Sequence, residues 1–116
     1  MFSDVTSSAL HTALSGLAYR QRVIATNIAN VETPGFRAGK VQFEQALSAA
    51  LADGSSPDQV EPTFARSLEP TRLNGSNVNL DEESLSSLDT NMRYQLALRA
   101  MDSKFGLLST VIKGSR

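Results

Sequence analysis

The side chains able to do chemistry in this 116-residue chain are few and scattered. His11 is the only histidine and cysteine is absent, so a multi-histidine metal site, a thiolate site and a disulfide framework all lack their ligands. An imidazole at position 11 becomes catalytic only if the fold brings a carboxylate or serine to it, and a partly exposed surface or interface histidine is the simpler state. No serine sits in a G-x-S-x-G turn, and no glycine-rich loop offers its amides to a phosphate. The run Asn77-Val78-Asn79-Leu80-Asp81-Glu82-Glu83 alternates oxygen-bearing residues as a calcium loop does. Counting from Asn77, however, Glu82 falls where the sharp-turn glycine belongs and Leu88 where the bidentate glutamate belongs. Helix capping accounts for these residues better. Asn79 serves as N-cap, Glu82 as its capping-box partner three residues on, and Asp81, Glu82 and Glu83 as first-turn charges that favour the helix dipole. Nothing in this set supports an enzyme, and no cofactor is implied.

Bulk properties narrow the partners. Eleven basic residues against twelve acidic ones, with no basic block, argue against nucleic acid. No apolar run approaches membrane-spanning length, so no transmembrane segment is expected. The start Met1-Phe2-Ser3-Asp4-Val5 lacks the basic and apolar regions of a secretory signal, so export would use another route. A hydrophobic content of 41% in a chain of one-domain size predicts one core that is incomplete alone.

The elements that would position these residues are mainly helical. From about Asp4 to Asn30 the spacing predicts one long helix, with Ser3 or Asp4 as N-cap. Its residues Leu10, Leu14, Leu17, Gln21, Ile24, Ile28 and Val31 recur at 4, 3, 4, 3, 4, 3, a heptad seam with one polar intruder. Ala9, Ala13, Ala18, Ala25 and Ala29 widen that face, while Thr12, Ser15, Gly16 and Tyr19 carry the opposite one. One stripe predicts one principal packing partner. Gly16 marks either close approach of a neighbour or local tolerance of a poor helix former.

A corner follows. Asn30 is suited to a left-handed helix end, Thr33 before Pro34 is pushed to extended geometry, and Pro34-Gly35 fit the centre of a type II turn. Beyond an extended or irregular stretch from Arg37 to Gln42, Phe43 to Ala52 has helical spacing and is stopped by Gly54-Ser55-Ser56-Pro57. Thr63 to Leu68, bracketed by prolines, reads equally as loop or as short edge strand. Asn74-Gly75-Ser76-Asn77 is a turn, and Leu80 to Ile112 is the last helix.

That helix carries two stripes. Leu85, Leu88, Met92 and Leu96 fall on one side; Tyr94, Leu98, Met101, Phe105, Leu108 and Ile112 fall roughly opposite, at heptad spacing. Two apolar faces need two partners, and the N-terminal helix fills only one. The fold expected is therefore mainly α, with long terminal helices packed as a coiled-coil-like pair. A short irregular middle joins them, and the divisions are 1–31, 32–79 and 80–116. Leucine, isoleucine and alanine opposite mixed charges suit helix packing better than a membrane surface.

At this point the residues resemble a family. Asn27-Ile28-Ala29-Asn30-Val31-Glu32-Thr33-Pro34-Gly35-Phe36 resembles the N-I-A-N-x-x-T-P-G-[FY] signature of the rod and hook proteins of the bacterial flagellum. Asn77 to Glu83 looks like the segment that opens the C-terminal helix in that family. Met92-Arg93-Tyr94-Gln95-Leu96-Ala97-Leu98 and the short middle are similar to its proximal-rod branch, the FlgB type. The resemblance implies an axial structural subunit of the basal body that polymerises through its terminal helices into a torque-bearing tube around the export channel. It implies Asn27, Asn30, Thr33, Pro34, Gly35 and Phe36 as the motif and corner. The implied partners are further copies of the chain, rod subunits of the FlgC type and others, a FliE-type adaptor at the rod base, and the flagellar type III export apparatus. That route would account for the missing signal, with a final location in the periplasmic part of the cell envelope. A reading from a different class is a soluble helical adaptor or export-chaperone-like module, for which the uncovered seam is a partner groove. Self-association into filaments, as against a small fixed stoichiometry, separates the two.

Overall fold

A computed structural model describes the backbone of residues 2–71 and 73–114 and the side chains of residues 5–71 and 73–104. Two long helices, α1 (Phe2–Ala29) and α3 (Leu80–Gly114), enclose a middle of β1 (Gly39–Gln42), α2 (Glu44–Asp53), a 3₁₀ turn (Pro57–Gln59) and β2 (Thr63–Arg66). The helices begin and end where the sequence signals stand, with one exception at the start. The backbone of α1 runs through Ser3 and Asp4, so neither is its N-cap. At α3 the Asn79 side chain accepts the Glu82 N–H at 3.2 Å, the N-cap bond the sequence predicts. Gly54 ends α2 in the left-handed region.

The stretch from 37 to 42, read as extended or irregular, pairs with the segment beginning at Thr63 as an antiparallel two-stranded sheet. Its register is Gly39↔Arg66, Lys40↔Ala65, Val41↔Phe64 and Gln42↔Thr63. The strand alternative is thus the one adopted, ending at Arg66 rather than Leu68. Gly39 and Val41 turn inward while Lys40 and Gln42 face out.

The one principal partner expected for α1 is α3, but a second face of the helix is covered as well. The helix packs α3 on one side and β1, α2 and the 3₁₀ turn on the other. The core cluster of Leu17, Val41 and Phe43, joined by Ala13, Val23, Leu47 and Tyr94, sits where these elements meet. Gly16 lies under Phe43, and a Cβ there would stand 2.7 Å from the ring, so close approach rather than tolerance explains the glycine. Thr12, on the face opposite the seam, donates its hydroxyl to the Pro57 carbonyl at 3.2 Å. Of the alanines expected to widen the seam, Ala25 and Ala29 are exposed.

Candidate assembly surface and its corner

The corner is built from short polar bonds. Asn30 does not enter the left-handed region: no described non-glycine residue has positive φ. Its side chain ends the helix instead. Nδ2 donates to the Thr26 carbonyl at 2.8 Å, and Oδ1 accepts the Thr33 hydroxyl at 3.0 Å. An asparagine able to cap the last turn with its own amide has no need of the strained backbone. Thr33 O accepts the Phe36 N–H at 3.2 Å across Pro34 and Gly35, with Gly35 at φ 75°, the type II turn predicted. The Gly35 N–H donates to Asn74 O at 3.0 Å and the Asn77 N–H to Phe36 O at 3.1 Å, so the corner is tied to the approach to α3. Phe36 is anchored through Arg66, whose guanidinium lies 5.4 Å from its ring and 5.0 Å from that of Phe64.

Two asparagines then fix the start of β1. Asn27 is 1% exposed, and its amide pairs with Gly39 as a strand would, accepting N–H at 2.9 Å and donating to C=O at 3.0 Å. Its second amide hydrogen goes to Glu83 Oε2 at 3.0 Å. Glu83, 2% exposed, also meets Lys40 Nζ at 3.5 Å. A buried carboxylate is tolerable here because an amide, an ammonium and the N-terminal end of α3 all face it. Asn77 accepts the Ala38 N–H at 2.7 Å and donates to the carbonyls of Ser67 and Glu69 at 3.1 and 3.3 Å. The sequence places Glu83 only among first-turn charges; its structural task is to join the end of α1 to the beginning of α3.

A third cluster joins all three helices. Arg20 of α1 meets both Glu44 oxygens at 2.5 and 2.6 Å and donates to Val41 O, with its guanidinium 5.1 Å from the Phe43 ring. Arg93 of α3 reaches Glu44 Oε2 at 3.6 Å. The hydrogen-bonded Arg20 guanidinium brings the Glu44 carboxyl down to about 2. Neither Arg20 nor Glu44 emerges from the sequence reading. A signal exists, since Gly16, Arg20, Val23 and Asn27 recur at 4, 3, 4, but the mixed polarity of this second stripe hides it from a hydrophobic pattern.

The seam between the long helices holds Leu17 and Ile24 buried, and Leu10, Leu14, Gln21, Ile28 and Val31 half-buried. From α3, Tyr94, Leu98 and Met101 are half-buried and Thr90 is buried. Gln21, the polar intruder, donates to the Ser87 hydroxyl at 2.8 Å. Gln21 Oε1 and Thr90 Oγ1 are buried without a hydrogen-bond partner among the described residues, and both residues line a groove of about 430 Å³ with Leu17, Ala18, Ala25 and Tyr94. The other stripe of α3 stands in solvent. Leu85 and Leu88 are each 67% exposed, Met92 60% and Leu96 62%. Phe105, Leu108 and Ile112 lie outside the residues whose side chains are described. Among the described residues no cluster of metal-ligating side chains occurs, and no helix is long and apolar enough to cross a membrane.

Two long helices stapled at a polar corner, with an apolar ridge left bare, define a helical structural subunit. Residues 9–37, which hold the seam and corner, match the family model of the flagella basal body rod protein. The chain is 31% identical to the flagellar basal body rod protein FlgB of Bacillus subtilis, over 92% of each chain. It is 32% identical to that of Aeromonas hydrophila, over 90% of this chain and 89% of the relative. The match to the Escherichia coli protein is 27%, over 89% and 90%. The chain belongs to the FlgB family of flagellar basal body rod proteins, and it is a structural rod subunit rather than an enzyme.

Proposed function

We propose that this chain polymerises through its terminal helices into the proximal part of the rod, the drive shaft that transmits torque and surrounds the export channel. The observation that carries the reading is the ridge of Leu85, Leu88, Met92 and Leu96, an apolar strip on the side of α3 away from its intramolecular partner. The groove lined by Leu17, Ala18, Ala25 and Tyr94 supplies a different face for a neighbour. Its unpaired Gln21 and Thr90 oxygens await polar groups from that neighbour. A ridge and a groove at different places on one molecule make heterologous contacts, which build open helical arrays. Phe105, Leu108 and Ile112, which continue the Tyr94 stripe by spacing, add contact area. Residues 1–31 and 80–116 form the inner layer, and 32–79 stand outside it.

The partners are further copies of the chain, rod subunits of the FlgC type and others, the FliE-type adaptor at the base, and the export apparatus. That apparatus carries the chain to the periplasmic space without a cleaved signal. Replacing Leu88 and Met92 together by glutamate tests the reading in a motile host. Both sites are solvent-exposed in the monomer, so stability should change by no more than about 0.5 kcal/mol, whereas rods and swimming should be lost. Normal rods containing the double variant would overturn the proposal.

A further inference from the structure

The ridge has a symmetry that the rod contact does not use. Leu88 and Met92 are equidistant from residue 90, Asp81 and Arg99 are equidistant from it too, and Leu85 and Leu96 flank it five and six residues away. Asp81 and Arg99 are eighteen residues apart, which at 3.6 residues per turn is five whole turns, so they stand in line with the ridge, one beyond each of its ends. Both are exposed, and neither has an ion-pair partner among the described residues.

We propose that free chains pair two-fold and antiparallel along the outer face of α3, each ridge covering that of a second copy. In an antiparallel helix pair, one edge faces the same edge of the partner helix. Leu88 then meets Met92 of the second copy, Leu85 meets Leu96, and Asp81 meets Arg99, each contact made twice. A parallel in-register pair sets Asp81 beside Asp81 and Arg99 beside Arg99 of the second copy, so charge selects the antiparallel form. The body leaves room for it. Its extents are 67 × 26 × 14 Å, one helix thick, with α3 packed on α1 and on no other element among the main contacts. The ridge therefore runs along a free border of a slab, and a second slab abuts it border to border. The pairing itself does not depend on the rod reading. On that reading it hides the ridge that a neighbouring subunit needs, and so holds free chains back from premature polymerisation.

Sedimentation equilibrium of the full chain at low ionic strength tests the pairing. The weight-average mass should climb with concentration from 12.5 kDa toward twice that value, and less steeply at ~1 M salt, where the screening length falls to about 3 Å. Asp81→Arg and Arg99→Asp should each weaken association about tenfold by opposing like charges, and the two together should restore it. The absence of cysteine permits a test of direction. A mixture of Leu85→Cys and Leu96→Cys chains should oxidise to the mixed disulfide, with little bridging in either variant alone. In a parallel pair these positions sit eleven residues apart, ~16 Å along the axis, too far for a disulfide. A chain that stays monomeric to ~1 mM by the ordinary range of weak contacts, single charge swaps without effect, or self-bridging of either cysteine variant would each overturn the proposal. The motility experiment above is read independently, because a rod subunit need not dimerise and a dimerising chain need not enter a rod.

Discussion

Asn27→Ala is the sharpest test of how the corner is held. The substitution strips partners from three buried groups: the Gly39 N–H, the Gly39 carbonyl and one Glu83 oxygen. Each buried group left unpaired costs about 1 to 3 kcal/mol, more for a charged one, and neighbouring losses do not add in full. The loss should come to about 3 to 4 kcal/mol, a large share of the ~5 to 15 kcal/mol that holds a domain together. Urea unfolding followed by far-ultraviolet circular dichroism should show a lower midpoint at unchanged slope, since the surface exposed on unfolding stays the same. Amide exchange at Gly39 should accelerate in step. Asn27→Asp keeps the acceptor for Gly39 but sets a second carboxylate against Glu83. Its deficit should match that of alanine at neutral pH and shrink in acid, where one proton between the two carboxylates restores a donor. A cycle with Glu83→Gln should reveal coupling of about 1 to 2 kcal/mol. A cost below ~1 kcal/mol for Asn27→Ala, the size of one ordinary hydrogen bond, or strict additivity with Glu83→Gln, would refute the clamp.

Three further expectations follow from the same geometry. The Glu44 carboxyl is lowered from 4.5 to about 2, so its stabilisation is complete above 4.5 and fades as the pH falls toward 2; with the side chain 39% exposed, solvent screening limits it to ~1 kcal/mol. Glu44→Gln should flatten the acid limb of a stability profile between those values, and an unchanged limb would dismiss the pairing. Gly16→Val drives a side chain into Phe43 and should cost about 2 to 4 kcal/mol as overpacking with displaced contacts, partly recovered by Phe43→Ala in the same chain. Pro34→Ala with Gly35→Val puts a β-branched residue at φ 75°, a strain of about 1 to 3 kcal/mol; proteolysis should sharpen at the corner while helical content holds.

The long helices and the two stripes of α3 were legible because apolar spacing reports directly on which faces seek burial. Asn79, Pro34 and Gly35 were legible because capping and turn chemistry are local. What the pattern missed is non-local. Nothing within four residues of Arg20 or Glu83 indicates that Glu44 or Asn27 will stand opposite, and polar residues on a buried face read as solvent-facing until the partner is known. The second covered face of α1 went unread for that reason. That face is made of Gly16, Arg20, Val23 and Asn27, only one of which is strongly apolar, and it buries β1 through an amide and a guanidinium as well as the Val23 methyl groups. Asn30 misled differently. Its type allows two ways of ending a helix, and only the surroundings decide whether backbone or side chain does so.

The balance of the interior gives this arrangement its logic. Buried apolar side chains such as Leu17, Ile24, Val41 and Phe43 share the interior with Asn27, Ser76, Asn77, Glu83 and Thr90. A slab one helix thick has little depth in which to stack hydrophobic layers. A methyl group in such a slab gains burial on one side only, whereas an amide that satisfies two backbone groups fixes position and direction together. Asn27 does this at Gly39, the first residue of β1, and Asn77 ties the Ala38 N–H just before it to the carbonyls of Ser67 and Glu69, from opposite ends of the corner. The angle between α1 and the middle is thereby set by directional bonds that permit few alternatives, while the hydrophobic area the slab cannot bury is left on the outer ridge of α3. A thin subunit with a rigid joint and a sticky border is what results when polar clamps do the work of a deep core.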